Sequence, residues 1–358
     1  MRTKKSSTPL RRADRSELAK VTWLDLEQVG PGRVLHMMPV FENGQWTSWL
    51  ELDDGRMFAM NPLDVRGLYL SREPAHAHDL YVDFLDLLWQ RASFPHVADL
   101  AASIGDDVEN LATSVAKIDF FASHADSLGH GAGGFVTTEI EYLLVLSRSI
   151  LDLLHDVAHG FWATVQLTDE GEQRKKLGAP LPEGLAKTCL HGDVVRTAAE
   201  LTSKHALPSS IATAYEAIGT FLLRVRGLRD AVVHRGRSTG TIFNTPRGFA
   251  IERQGTLARI APELWTEAHE YNEVLVSLRP LVASIALSTL EACSILVRAF
   301  ASTIRFMPPV APRHRVHLRS DHGKALHDAS AVLRGGDCWW HPGPPDDPAT
   351  PARIKELA

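Results

Sequence analysis

One stretch of the chain concentrates residues that could do chemistry on a phosphodiester. From Phe221 to Arg237 it reads FLLRVRGLRDAVVHRGR, with Arg224, Arg226, Arg229, Arg235 and Arg237 against Asp230 alone. The planar fork of arginine can hold a phosphoryl group bidentately. Histidine titrates near neutral pH, so it can take or give a proton in a transition state. Arg229, Asp230 and His234 are therefore the candidate catalytic residues, and Arg226, Arg235 and Arg237 the candidate substrate-binding ones. Asp230 and His234 stand four apart, as do Arg226 and Asp230, a spacing at which helical side chains meet. This set suits phosphodiester cleavage with no cofactor and no metal.

Phe221, Val225, Leu228 and Val232 recur at i, i+4, i+7 and i+11, so one apolar stripe faces a core and leaves the polar set on another face. The bland alternative is a helix C-terminus whose cations simply oppose the dipole.

The run R-D-A-V-V-H-R-G, Arg229 to Gly236, resembles the R-x4-6-H signature of HEPN domains, with a polar residue directly after the arginine. The stretch from Glu139 to Phe161, with Arg148 and Asp152 as R-S-x-x-D, is similar to the long earlier helix of several HEPN branches. The similarity spans residues 133 to 305. It implies an all-α bundle acting as a metal-independent endoribonuclease, in a toxin or antiviral role. It also implies a homodimer in which two motifs face each other, with RNA and an antitoxin or regulatory protein as partners. On this resemblance His234 serves as general base or acid at the ribose 2′-hydroxyl, and Arg229 binds the scissile phosphate. Asp230 orients Arg229 or His234, and the product carries a cyclic phosphate. Some HEPN domains are inactive, so the resemblance also admits a non-catalytic protein that binds RNA or a nucleotide, or that dimerises; a third reading is a packing scaffold. Arg148 and His155 form a second R-x6-H pair. The later pair is preferred because Asp230 follows its arginine and because it ends a helix ahead of a loop.

The elements that would position these residues follow from pattern. Residues 1 to 20 read as a basic disordered arm with no apolar stretch of export type behind it. Residues 21 to 72 carry strand-like runs separated by Pro31-Gly32, Asn43-Gly44 and Asp54-Gly55, which predicts a small β module. Residues 76 to 306 show apolar residues three and four apart over Asp79–Arg91, Val97–Ser127, Phe135–Leu167, Gly184–Lys204, Ser209–Arg235 and Pro262–Arg305. That predicts a mainly α, HEPN-like bundle, interrupted by a hairpin of TIF and FAIE around NTPRG. Residues 307 to 358, rich in Pro and His, read as a flexible tail except where Trp339 and Trp340 dock.

Composition bounds the rest. Of 358 residues 44% are hydrophobic and 23% charged, with a net charge of −5, so the chain is globular and any nucleic-acid surface must be local. Cys189, Cys293 and Cys338 are too few and too scattered for a disulfide framework, which points to the cytoplasm. The apolar run Leu281–Leu290 is half the length that a bilayer requires, so no membrane partner is expected. His155 and His159, with Asp152 and Asp156, share a helix face but lack the zincin glutamate, and the tail histidines match no zinc spacing. Nor does the chain carry a P-loop, a G-x-G-x-x-G or a G-x-S-x-G elbow.

Overall fold

The computed structural model of the chain describes residues 15–29, 32–169, 171, 181–230 and 241–342. Local turn chemistry builds its first strands. Asn43 and Gly44, at φ 51° and 76°, close β1 (Val40–Glu42) onto β2 (Gln45–Glu51), and Gly55 at φ 84° closes β2 onto β3 (Met57–Met60). Asparagine and glycine accept such angles at low cost. The short helix α1 (Arg15–Leu18) brings Glu17 to β3, whose Met57 N–H donates to its carboxylate at 2.8 Å.

Pairing continues across the whole chain. β4 (Gly67–Ser71) runs parallel to β1, β11 (Arg315–Arg319) runs antiparallel to β4, and β5 (Leu80–Tyr81) closes on β11. The result is a six-stranded mixed sheet in the order β3-β2-β1-β4-β11-β5, one of three sheets among the described residues. This overturns the expected mainly α, HEPN-like bundle with a small N-terminal β module and a flexible C-terminal tail: the protein is helix-rich but mixes α and β, and residues 307–342 of the tail are built into the fold, 343–358 lying outside the described residues. The physical reason lies in Arg-Val-His-Leu-Arg. Its alternation turns Val316 and Leu318 to the helix side, where both are buried, and sends Arg315, His317 and Arg319 to the other face. The five N-terminal strands do not form one layer by themselves, because β5 pairs with none of the others, and β11 from the far end of the chain joins it to β4.

After β11 the chain forms α11 (Gly323–Leu333) and then docks two tryptophans. Trp339 is 2% exposed, and the indole N–H of Trp340 donates to Asp119 at 2.6 Å. Burying one such ring contributes about 2–3 kcal/mol.

Helices cover the inner face of the sheet. They begin with α2 (Asp83–Gln90), α3 (Pro95–Ser123), the single turn α4 (Ala125–Leu128) and α5 (Ala132–Trp162). α3 and α5 lie side by side for most of their length. The helix expected over 184–204 is broken into α6 (Leu185–Cys189), a β6–β7 hairpin (Leu190–His191, Val194–Val195) and α7 (Ala198–His205). Gly192 at φ 63° makes the turn, and a Thr197–Glu200 capping box restarts the helix. α8 (Ser209–Arg229) follows. β8 (Phe243–Thr245) and β9 (Gly248–Glu252) form the hairpin around NTPRG and gain a third strand, β10 (Leu275–Ser277), with α9 (Thr256–Ile260) between. The helix expected from Pro262 therefore starts only at α10 (Arg279–Thr303). α10 packs against α2, α3, α5, α8 and α11. It is long and apolar enough to cross a bilayer, yet 67% of its apolar window is buried inside the protein, which makes it a core helix.

Candidate active site

α8 delivers the arginine-rich segment. Ile211, Tyr215, Ile218, Leu222, Val225 and Leu228 recur at helical spacing and are all buried, so this face locks the helix in place. Arg224, Arg226 and Arg229 fall on the remaining faces. The guanidinium of Arg224 reaches Glu263 at 2.6 Å. Arg226 donates to the Gly192 carbonyl at 3.2 Å, pairs with Asp193 at 3.2 Å, and lies 3.9 Å from Asp230. Arg229 pairs with Asp230 at 3.4 Å, both side chains being more than a third exposed. Its Nε is nonetheless buried, with no hydrogen-bond partner among the described residues.

The structure thus brings together three of the residues singled out in the sequence, Arg226, Arg229 and Asp230, while His234, Arg235 and Arg237 lie outside the described residues. It also revises the charge count. Asp193 and Glu263, distant in sequence, neutralise Arg226 and Arg224, so the local positive excess rests on Arg235 and Arg237.

The earlier pair behaves differently. Arg148 donates to Asp152 at 2.6 Å on the half-exposed face of α5, but His155 is 0% exposed. Its Nε2 lies 2.9 Å from the Pro182 carbonyl and its Nδ1 3.1 Å from the Tyr215 hydroxyl. A carbonyl can only accept, so Nε2 carries the proton and Nδ1 accepts from Tyr215. Burial lowers the pKa of His155 and raises that of Tyr215, keeping both neutral. Burial likewise pushes the Cys189 thiol up to about 12, which leaves it unreactive. With both nitrogens engaged in the core, His155 serves packing rather than proton transfer. For the same reason it cannot join His159 on a metal, and no group of three or more metal-ligating side chains occurs among the described residues.

A second polar cluster, on the outer face of the large sheet, escaped the sequence reading. The Tyr69 hydroxyl donates to Asp79 at 2.7 Å and accepts from the Ala75 N–H at 2.7 Å, while the His76 N–H donates to Asp79 at 3.0 Å. Arg319 pairs with Asp64 at 3.0 Å and lies 3.8 Å from Asp79. His317 stacks on Tyr69 with ring centroids 5.4 Å apart. Burial raises the pKa of Asp79 and lowers that of His317. These bonds pin the 72–79 loop across the sheet, and the alternation in Arg-Val-His-Leu-Arg was the signal that could have exposed them. Of the other tail histidines, His314 is bound to Glu42 at 2.9 Å.

Comparison with protein-family models, with curated proteins and with solved structures gives no match.

Proposed function

We propose that the chain is a metal-independent endoribonuclease of HEPN type, working through Arg229, Asp230 and His234. The observation that carries this reading is the Arg229–Asp230 pair at the last turn of α8: a half-exposed guanidinium braced by a carboxylate, with one buried N–H unpaired among the described residues. A scissile phosphate is the kind of acceptor such a group fits. His234, four residues beyond Asp230, takes the proton of the ribose 2′-hydroxyl as that oxygen attacks phosphorus. The bond from phosphorus to the 5′-oxygen breaks, and the leaving oxygen receives a proton, giving a 2′,3′-cyclic phosphate and a 5′-hydroxyl. Arg229 stabilises the charge that develops on the phosphoryl oxygens. Arg235 and Arg237 supply the positive field for the RNA strand.

A homodimer that brings two copies of the motif together, a cytoplasmic setting, a toxin or antiviral role, and an antitoxin or regulatory partner belong to the same proposal. Non-catalytic RNA binding is less well supported, because Arg224 and Arg226 already hold carboxylates of the same chain. The test is incubation of purified protein with total RNA in EDTA, with both ends of the products determined. Cyclic-phosphate ends support the reading; intact RNA that nevertheless binds with steep salt dependence replaces it with the non-catalytic one.

A further inference from the structure

The outer face of the large sheet is covered over one half and bare over the other. Across β4 the 72–79 loop is fastened through Tyr69 and Asp79, and Trp46 on β2 is buried against Phe41 and Tyr69. Farther toward β3 the same face is exposed. The β2–β3 register sets Leu50 opposite Phe58 and Ser48 opposite Met60, and strand alternation puts all four on the side of Trp46. Leu50 is 46% exposed, Phe58 51% and Met60 39%. Large apolar side chains gathered in this way on adjacent strands mark an interaction surface.

The edge beside the patch is open as well, since β3 ends the strand order. The Leu52 N–H donates to the Arg56 carbonyl across the hairpin, which fixes the phase of the ladder. Phe58 and Met60 therefore bond to β2, while Met57 and Ala59 turn their N–H and C=O groups outward. The Met57 N–H meets Glu17 of α1 at 2.8 Å, and Ala59 lies two residues farther along the same edge. An edge of this kind accepts a further extended segment. The turn beside it adds charge: residues 51–56 hold Glu51, Asp53 and Asp54 against Arg56, a net of two negative charges.

Patch, edge and turn together call for a segment that is extended, partly apolar and basic. The chain carries one next to them. Residues 1–14, MRTKKSSTPLRRAD, hold Arg2, Lys4, Lys5, Arg11 and Arg12 against Asp14, a net of four positive charges, with Leu10 among them. They lead directly into α1, whose Glu17 already touches β3. Five extended residues span up to about 17 Å. Met57 to Met60 rises only about 10 Å, so Leu10 reaches any point of the strand. The tether makes the encounter intramolecular, at an effective concentration in the millimolar range. A second copy brings the same acidic turn, and a separate protein lacks the tether. We propose that residues 1–14 dock along the free edge of β3, with Leu10 covering Phe58 and Leu50 and the basic side chains meeting the carboxylates of the turn. This docking is independent of the ribonuclease reading.

The experiment is amide hydrogen exchange of the full-length protein, read by NMR at Ala59. At low salt the docked segment protects this amide. Exchange should quicken about tenfold when Lys4→Glu, Lys5→Glu, Arg11→Glu and Arg12→Glu are combined, and by a smaller factor in Leu10→Ser. In the wild type it should also quicken on going to about 0.5 M salt, which screens the charge pairing. Circular dichroism checks that each variant is folded. Equal exchange in all three proteins and at both salt concentrations would overturn the proposal. So would protection that rises with protein concentration and survives the charge reversal, which assigns the patch to a second copy.

Discussion

The sequence offers two arginine–histidine pairs in nearly the same spacing, and their described residues sit in opposite surroundings. On α5, His155 faces inward, bonded to Tyr215 and Pro182, while Arg148 stays outside on Asp152. At the end of α8, the arginine and its aspartate remain at the surface, and His234 lies outside the described residues. The lesson is that spacing alone does not make a site: a buried imidazole with both nitrogens engaged has no proton to exchange. What separates the two arginines is position along the helix, mid-length on α5 for Arg148 and the last residue of α8 for Arg229.

The comparison breaks most visibly at Arg229. Arg229→Ala is expected to lower RNA cleavage by about 10²-fold or more, as loss of a transition-state donor does, yet to change unfolding free energy by less than about 0.5 kcal/mol. Cleavage rates beside urea unfolding curves check both halves. His155→Ala should do the reverse in stability, costing roughly 3 kcal/mol by leaving a cavity and an unpaired Tyr215 hydroxyl, as read from the urea midpoint.

A smaller effect concerns pH. Burial holds the folded-state pKa of His155 below its ordinary value, so the unfolded chain binds the proton first as pH falls. Its contribution is complete above about pH 6.5 and is lost on acidification below it, at up to about 1.4 kcal/mol per pH unit. Unfolding measured at pH 7 and pH 5.5 should show a shallower decline for His155→Gln than for the wild type. The buried carboxyl of Asp79, with its raised pKa, acts in the opposite direction and is common to both proteins. Smallest of all is Arg148→Ala. Its pair with Asp152 is an i,i+4 surface bridge, so a loss under about 0.5 kcal/mol and cleavage within about twofold are expected.

Much of this was legible because the signals are local. Asn43-Gly44 and Asp54-Gly55 mark their hairpins through backbone angles that few residues tolerate, and the 3.6-residue periodicity marks α3, α5 and α10. What stayed hidden depends on distance in sequence. Nothing near Gly67–Ser71 announces that its partner is Arg315–Arg319, some 250 residues on, and proline and histidine around that strand hid its alternation. The same holds at the site. Arg226 and Asp230 could be paired by helix spacing, but Asp193 and Glu263 reach the arginines only through tertiary folding, and they cancel charge that a local count leaves free. Likewise Glu109 and Ser320 meet only because β11 returns to α3.

The most direct measurement compares wild type, His234→Ala and Arg148→Ala on one RNA in EDTA, with folding of each verified by circular dichroism. Cleavage to cyclic-phosphate ends by the wild type and Arg148→Ala, reduced about 10²–10⁴-fold in His234→Ala, is the predicted result. Equal cleavage by wild type and His234→Ala, or loss of activity in Arg148→Ala alone, would contradict the assignment of the chemistry to the end of α8.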